Sequence, residues 1–583
     1  MASEKPIWNR VWGEAAALVL RTRRVSWIDL VVLAGLVGIF FGLLDLARQW
    51  TGPYRATVII DSSPWALPKY TLYSLSRGSI AYVLSLCFTL AYGYWAAKDR
   101  VAERVLIPLL DILQSIPILS FLPGFVFALV AAFPSNNIGL ELASILTIFT
   151  SQAWNMTFSF YHSLRTIPQD QREVAALYRF SAWQGFKWLE VPFATVGLVW
   201  NSMMSMAGGW FFLTVSEAFQ LGDKDFRLPG LGSFMKVATD EGRYDSMAWA
   251  ILAMVSMIVA LDQLFWRPVV VWAQKFRVEE AGQQEEMHSW FLDWLRRSRI
   301  LAAAMRQVKK SRQLVEVRRP RPKAVHTSPK PKTAIGAAVS LGAFSLLVAL
   351  LAYGAWRLFQ LIQSVSWEVW GLSLGAAGVT LGRVLLSTAL GTLWALPAGV
   401  AIGLSPRLSR IFQPVVQVIA SFPAPMLFPI VIAGFTLAGI PLSWGSIVLM
   451  LMGTQWYILF NVIAGAMAIP ADLREAARSY RISGWRRFWV LYFPGVFPQL
   501  VTGWVTAAGG AWNTSIVAEY VTFKGQTMKT WGLGAQVWEA AQEGNFPLLG
   551  ASVLVMAVVV VGFNRTVWRR LYHLAEENYS LNK

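Results

Sequence analysis

Cysteine occurs once in 583 residues, at Cys87 inside an apolar run, so no disulfide can form within the chain. The four histidines, His162, His288, His326 and His573, are scattered without ligand spacing; no metal site and no cofactor are expected. Charged residues make up only 14% of the chain. No Gly-rich phosphate loop, no paired carboxylates of a soluble cleft and no nucleophile elbow are present, so the chain is not expected to be an enzyme. Energy for uphill work would have to come from another chain or from an ion gradient. In abundance instead are apolar side chains: 55% of residues are hydrophobic, with 29 Trp and 34 Phe, far beyond the needs of a soluble core. This is the composition of a polytopic membrane protein.

The net charge of +18 is concentrated, since Leu292 to Lys332 holds thirteen Lys and Arg against Asp293 and Glu316. Basic residues beside apolar segments orient a chain and attract the lipid bilayer; no nucleic acid partner is expected. A span needs about 20 apolar residues. On that rule spans fall near 29–47, 73–96, 105–132, 138–160, 193–218 and 247–273, and again near 333–356, 378–403, 411–439, 441–466, 495–519 and 547–567. The third and ninth contain Pro117, Pro123, Pro423, Pro425 and Pro429 and should be kinked. Lys5, Arg10, Arg21, Arg23 and Arg24 precede the first span, and Arg569, Arg570 and Lys583 end the chain, which places both termini in the cytoplasm. The first apolar run has no small-residue cleavage site after it and reads as a retained anchor.

The two sets of six are copies. Ile167 to Pro192 reads IPQDQREVAALYRFSAWQGFKWLEVP, and Ile469 to Pro494 reads IPADLREAARSYRISGWRRFWVLYFP, at a constant offset of 302 residues. From Glu173 to Pro192 nine of twenty positions are identical to Glu475 to Pro494. At the same offset Trp154 meets Trp456, Gly208 meets Gly510, Trp210 meets Trp512, Glu217 meets Glu519, and Gly230-Leu231-Gly232 meets Gly532-Leu533-Gly534. At offset 306, Arg77 meets Arg383 and Ser115-Ile116-Pro117 meets Ser421-Phe422-Pro423. An even number of spans per copy makes these parallel repeats. The expected organisation is a first repeat over 1–275, a basic cytoplasmic linker over 276–332 and a second repeat over 333–583. Within the linker, Glu279 to Arg306 could form a surface helix with Trp290, Phe291, Trp294, Leu295, Leu301 and Met305 on the bilayer. The Pro-rich run from Arg318 to Lys332 should be extended.

The duplicated polar stretch resembles the cytoplasmic signature loop of ABC importer membrane subunits, in which Glu-Ala-Ala opens a short helix and a Pro follows nineteen positions after the Glu. The S-x-P-x5-P runs, the Trp with Glu seven residues later and the Gly-Leu-Gly loops are similar to the nitrate, sulfonate and taurine group of importer permeases. The resemblance implies an all-α polytopic fold of the type I ABC importer kind, with two parallel six-helix repeats in a bacterial inner membrane. It implies that Glu173, Ala175, Ala176, Tyr178 and Arg179, with Glu475, Ala476, Ala477, Tyr480 and Arg481, couple the chain to two ATP-binding subunits. It also implies an extracytoplasmic solute-binding protein, ATP hydrolysis on a separate chain, and one copy of this duplicated chain per complex. Both loops depart from the family where its usual Gly is Arg179 or Arg481, so the turn there is open to change. Ser181-Ala182-Trp183-Gln184 has the form of a capping box, which Arg486 weakens in the second copy.

The expected solute path, for a small anion, runs past Trp210, Phe211, Phe212 and Glu217 in the fifth span and Trp512, Asn513, Thr514, Ser515 and Glu519 in the eleventh. Glu217 lies 25 residues beyond Pro192, about 37 Å of helix, which puts it at the outer face as an interfacial or gate-closing group. Asn513, Thr514 and Ser515 are candidates for solute contact, with Phe211 and Phe212 as the apolar wall; the alternative is that the polar groups serve helix packing. An ion-gradient transporter and a non-transporting scaffold or receptor are the alternative classes.

Overall fold

The computed structural model describes residues 27–54, 58–221, 224–276, 289–298 and 334–579. The basic arm before Trp27 and the Pro-rich run from Arg318 to Lys332 lie outside them. The chain forms two compact units, one from Met1–Gln49 with Ala260–Gly342 and the other from Trp50–Val259 with Ala343–Lys583.

In the smaller unit, Asp29 near the start of helix Trp27–Thr51 is buried and accepts a hydrogen bond from the Ser298 hydroxyl at 2.7 Å. Ser298 follows helix Trp290–Arg296, which Ser289 caps by accepting from the Leu292 amide. This short helix is the described part of the surface helix expected over Glu279 to Arg306; 279–288 and 299–306 lie outside the described residues.

The larger unit carries the repeat. Helices cover every one of the twelve apolar segments. Among the described residues six are long and apolar enough to cross a membrane unaided: Pro64–Lys98, Tyr244–Phe276, Phe344–Ile362, Trp367–Leu404, Leu442–Ala468 and Phe546–Tyr579. Ile138–Arg165 falls short because it is a central helix with many buried polar groups, Glu141, Thr147, Gln152 and Thr157 among them. In each half one helix, Ile138–Arg165 or Leu442–Ala468, packs against the two that flank it, Leu67–Lys98 with Val191–Ser216 and Trp367–Leu404 with Phe493–Ala518.

The Pro-rich segments are broken rather than gently kinked. Arg100–Gln114 and Ile118–Ala132 meet at 93° across Pro117, and Pro423 interrupts Pro406–Ser421 before Phe428–Ala438. A proline removes a helical donor and biases the preceding residue toward extended backbone, as at Ile116 and Phe422. Pro123 and Pro429 instead occupy the first turn of the following helices, where a missing N–H costs nothing. The symmetry reaches single-turn π-bulges, at Phe186–Glu190 and Phe488–Tyr492, and at Asp262–Trp266 and Asn564–Trp568.

Two small hairpins interrupt the helical architecture. β1 (Ala218–Leu221) pairs antiparallel with β2 (Lys224–Arg227), and β3 (Tyr520–Phe523) with β4 (Gln526–Lys529). The β3–β4 turn is Lys524-Gly525, both at positive φ as a two-residue hairpin requires. One apolar core runs through both halves, joining Ile118, Phe212 and Val215 to Ala424, Phe428, Trp512 and Ile516.

Candidate functional site

Each signature loop is a helix, a tight turn and a second short helix that runs into a long one. Gln169–Leu177 ends in a reversed turn in which Phe180 N–H donates to Ala175 C=O at 3.0 Å. Ala471–Ser479 ends likewise, with Ile482 N–H donating to Ala477 C=O at 2.9 Å. This geometry needs a left-handed residue, normally glycine. Arg179 and Arg481 adopt it, at φ 51° and 52°. The departure from glycine therefore leaves the turn unchanged in shape and costs about 1 kcal/mol of backbone strain. Arg179→Gly is expected to leave amide exchange at Phe180 as slow as before or slower; faster exchange would show that the arginine is not strained.

The capping box is present in the first loop, with Gln184 N–H donating to Ser181 Oγ and Ser181 N–H to Gln184 Oε1. Ser483 makes no such cap, and Arg487 Nε donates to Ile482 C=O instead. Glu173, Ala176, Tyr178, Arg179, Glu475, Ala476, Tyr480 and Arg481 are exposed, Ala175 is half-buried and Ala477 is buried. Beside them Leu177, Trp183 and Trp485 are also exposed, giving each loop an apolar face.

At the opposite end of the same long helices lies a matched pair of ionic anchors. Glu217 Oε1 accepts from Arg77 Nη1 at 2.7 Å and from Ser74 Oγ at 2.6 Å, while Oε2 accepts from Gly232 N–H at 2.7 Å. Glu519 Oε1 accepts from Arg383 Nη1 at 2.7 Å and its Oε2 from Gly534 N–H at 2.9 Å, with Thr380 Oγ1 in the place of Ser74. Ser74 and Thr380 in turn accept from the Leu231 and Leu533 amides. Gly230 and Gly532 are required by closeness, since a Cβ on either would lie 2.3 Å from the carboxylate. Each anchor thus pins the start of a short helix, Leu231–Asp240 or Leu533–Gln542, onto a buried carboxylate. The halves differ in one respect: Arg77 also binds Glu141 bidentately at 2.6 and 2.8 Å, whereas Arg383 Nη2 donates to Thr530 Oγ1.

Among the described residues, cavities lie between the halves. One, with about 50 Å³ of room for water, is lined by Gly208, Phe211 and Phe212 from the first half and by Phe422, Trp456, Tyr457, Gly510, Asn513 and Thr514 from the second. Another, of about 160 Å³, lies toward the short helices and hairpins, among Thr214, Lys236, Met426, Tyr520, Trp538 and Gln542.

The sequence profile of the binding-protein-dependent transport system inner membrane component family matches residues 89–265 and again 387–567. The chain belongs to this family, in two copies. Among similar proteins, the taurine transport system permease protein of Escherichia coli K12 is 24% identical over 31% of this chain and 62% of its own length. The nitrate import permease protein of Leptolyngbya laminosa is 26% identical over 34% of this chain and 63% of its own. A putative aliphatic sulfonates transport permease protein of Escherichia coli K12 is 30% identical over 36% and 81%. The match thus spans less than two thirds of the length of the first two relatives.

In this chain Phe211, Phe212, Asn513 and Thr514 come together on one cavity. Trp210, Trp512, Ser515, Glu217 and Glu519 do not line it and are buried elsewhere. Glu217 lies at the end of its helix, as helix length places it, but it is buried there as an anchor rather than exposed at an interface, since Arg77 and the Gly232 amide enclose it. The polar stretch of the eleventh span is also spoken for. Thr514 Oγ1 donates to Gly510 C=O and Ser515 Oγ to Trp512 C=O, while Asn513 Nδ2 donates to Gly509 C=O. Asn513 Oδ1 accepts from Ile118 N–H at 2.6 Å, tying the eleventh span to the break at Pro117 in the other half. Sequence reasoning missed Glu141 and Tyr457 as site residues. The Arg77–Arg383 match was a signal for the anchors, because an arginine repeated inside two apolar spans needs a buried partner.

Proposed function

We propose that this permease forms the translocation path of an ATP-driven importer for a small anion. A single chain supplies both halves of the path, and an ATP-binding subunit docks on each signature loop from the cytoplasm, the side that also holds both termini. An extracytoplasmic binding protein delivers solute to the opposite face. The supporting observation is continuity. Helices Val191–Ser216 and Phe493–Ala518 follow directly from the two exposed loops and carry Phe211, Phe212, Asn513 and Thr514 to the cavity between the halves. A rigid helix transmits a displacement of its loop to the cavity wall.

The names of the relatives carry taurine, nitrate and aliphatic sulfonates, solutes that present an anionic oxygen cluster. The cavity near Asn513 has no carboxylate in its lining, so such a group meets no like charge there. Coupling by an ion gradient has less support, because Glu141, Glu217 and Glu519 are each committed to an arginine.

The test is ATP-dependent uptake by the whole complex reconstituted in vesicles. Replacing Glu173 and Glu475 by alanine is expected to reduce uptake about tenfold or more, the scale of a 1.4 kcal/mol loss per decade, without changing the melting of the permease. Uptake that persists without ATP and collapses with the proton gradient would overturn the proposal.

A further inference from the structure

Thr514 and Ser515 of the eleventh span donate their hydroxyls to its own backbone, and Asn513 donates one of its two amide hydrogens there, so little of that span is left to replace water around an anion in the cavity. One hydroxyl is unspent. Tyr457, on helix Leu442–Ala468, lines the cavity, and among the described residues its hydroxyl has no hydrogen-bond partner. Two glycines set its position. A Cβ on Gly510 would lie 3.1 Å from the ring at Cε2, and one on Gly208 would lie 3.6 Å from the hydroxyl oxygen. The ring therefore lies on the eleventh span of its own half and its oxygen reaches the fifth span of the other, where the two halves approach each other across the cavity. Offset 302 puts Asn155 at the matching place in the first half, and Asn155 is exposed and absent from the lining. Among the described residues this hydroxyl therefore has no counterpart in the first half.

We propose that the Tyr457 hydroxyl is the solute-contact group of the path, donating a hydrogen bond to an oxygen of a small oxyanion in transit. An anion stripped of water needs a donor in compensation, and a tyrosine hydroxyl supplies one. The surrounding side chains of Phe211, Phe212, Phe422 and Trp456 add no charge that would hold the ion fast. About 50 Å³ admits an oxyanion group or a few waters and excludes a bulky solute at this point. The inference rests on the transport function proposed above and assigns its contact residue.

The experiment measures uptake of labelled nitrate, bicarbonate and taurine by vesicles containing the whole complex, with ATP hydrolysis followed in parallel. Tyr457→Phe keeps the ring and removes only the donor. The expected result is a fall of about tenfold or more in maximal uptake, the consequence of an unsatisfied buried polar group, with assembly and ATP hydrolysis retained. Gly208→Leu, which fills the space in front of the hydroxyl without altering Tyr457, is expected to give the same loss. If the wild-type complex takes up an anion and Tyr457→Phe matches its rate, the inference falls alone. If the wild-type complex moves none of the three, the transport function falls and the inference with it. Should Tyr457→Phe fail to assemble, Gly208→Leu decides: unchanged uptake overturns the assignment.

Discussion

Arg77→Leu is expected to cost about 3–5 kcal/mol, the loss seen when one partner of a buried ion pair is removed. Against a total stability of about 5–15 kcal/mol, this removes a large part of the margin that keeps the chain folded, and the melting temperature should fall clearly. The substitution leaves Glu141 and Glu217, both fully buried, facing each other without a cation, and frees the Pro229 carbonyl that Arg77 Nη1 also holds at 2.8 Å. Arg383→Leu abandons only one carboxylate, so its effect is expected to be smaller. Adding Glu141→Gln and Glu217→Gln to Arg77→Leu should recover part of the loss, because the amides carry no charge to strand. Thermal melting of the detergent-solubilised chain, read by the fraction that remains monodisperse, checks the order. Equal melting of Arg77→Leu and wild type would show that the anchor does not hold the fold.

The second large effect concerns the ends of the halves opposite the signature loops. The Lys524 ammonium lies over the Tyr244 ring, 5.4 Å from its centroid, and the Lys524 stem packs against Gly242 of the opposite half. In the reciprocal contact Phe219 of β1 meets Trp538 edge to face at 5.7 Å. Under the proposed function, a path between the halves that opens at this end has to part these contacts. Cysteines in place of Gly242 and Lys524, in a Cys87→Ser background, should join the halves on oxidation. Uptake is expected to fall about tenfold or more when this gate is closed, because opening gates turnover. Reductant should restore it. A quantitatively cross-linked complex that still transports would show that the hairpin contact is not a gate.

Features encoded within a few residues were legible in the sequence. The capping box at Ser181 and the breaks at Pro117 and Pro423 follow from local backbone chemistry, and the offset of 302 residues foretold a repeat that extends to matched π-bulges. The four-residue change of offset falls near the turn at 133–137, which is shorter, at 439–441, in the second half. Long-range pairing was not legible. Glu217 meets an arginine 140 positions earlier, and nothing in the span around it distinguishes a buried anchor from an exposed gate. The Arg179 turn was misleading for a different reason. Residue type argued against a left-handed conformation, but the bond from Phe180 N–H to Ala175 C=O holds the arginine there. Tyr457 was hidden because an aromatic residue within an apolar span looks like packing until the surrounding space is known.

The central claim is that one chain supplies both halves of an importer's membrane domain. Native mass measurement of the complex, extracted gently from its own membrane, tests this most directly. The account predicts one copy of this 65.0 kDa chain with two ATP-binding subunits. Two copies of the chain in the complex, or a chain extracted with no ATP-binding subunit, would contradict it.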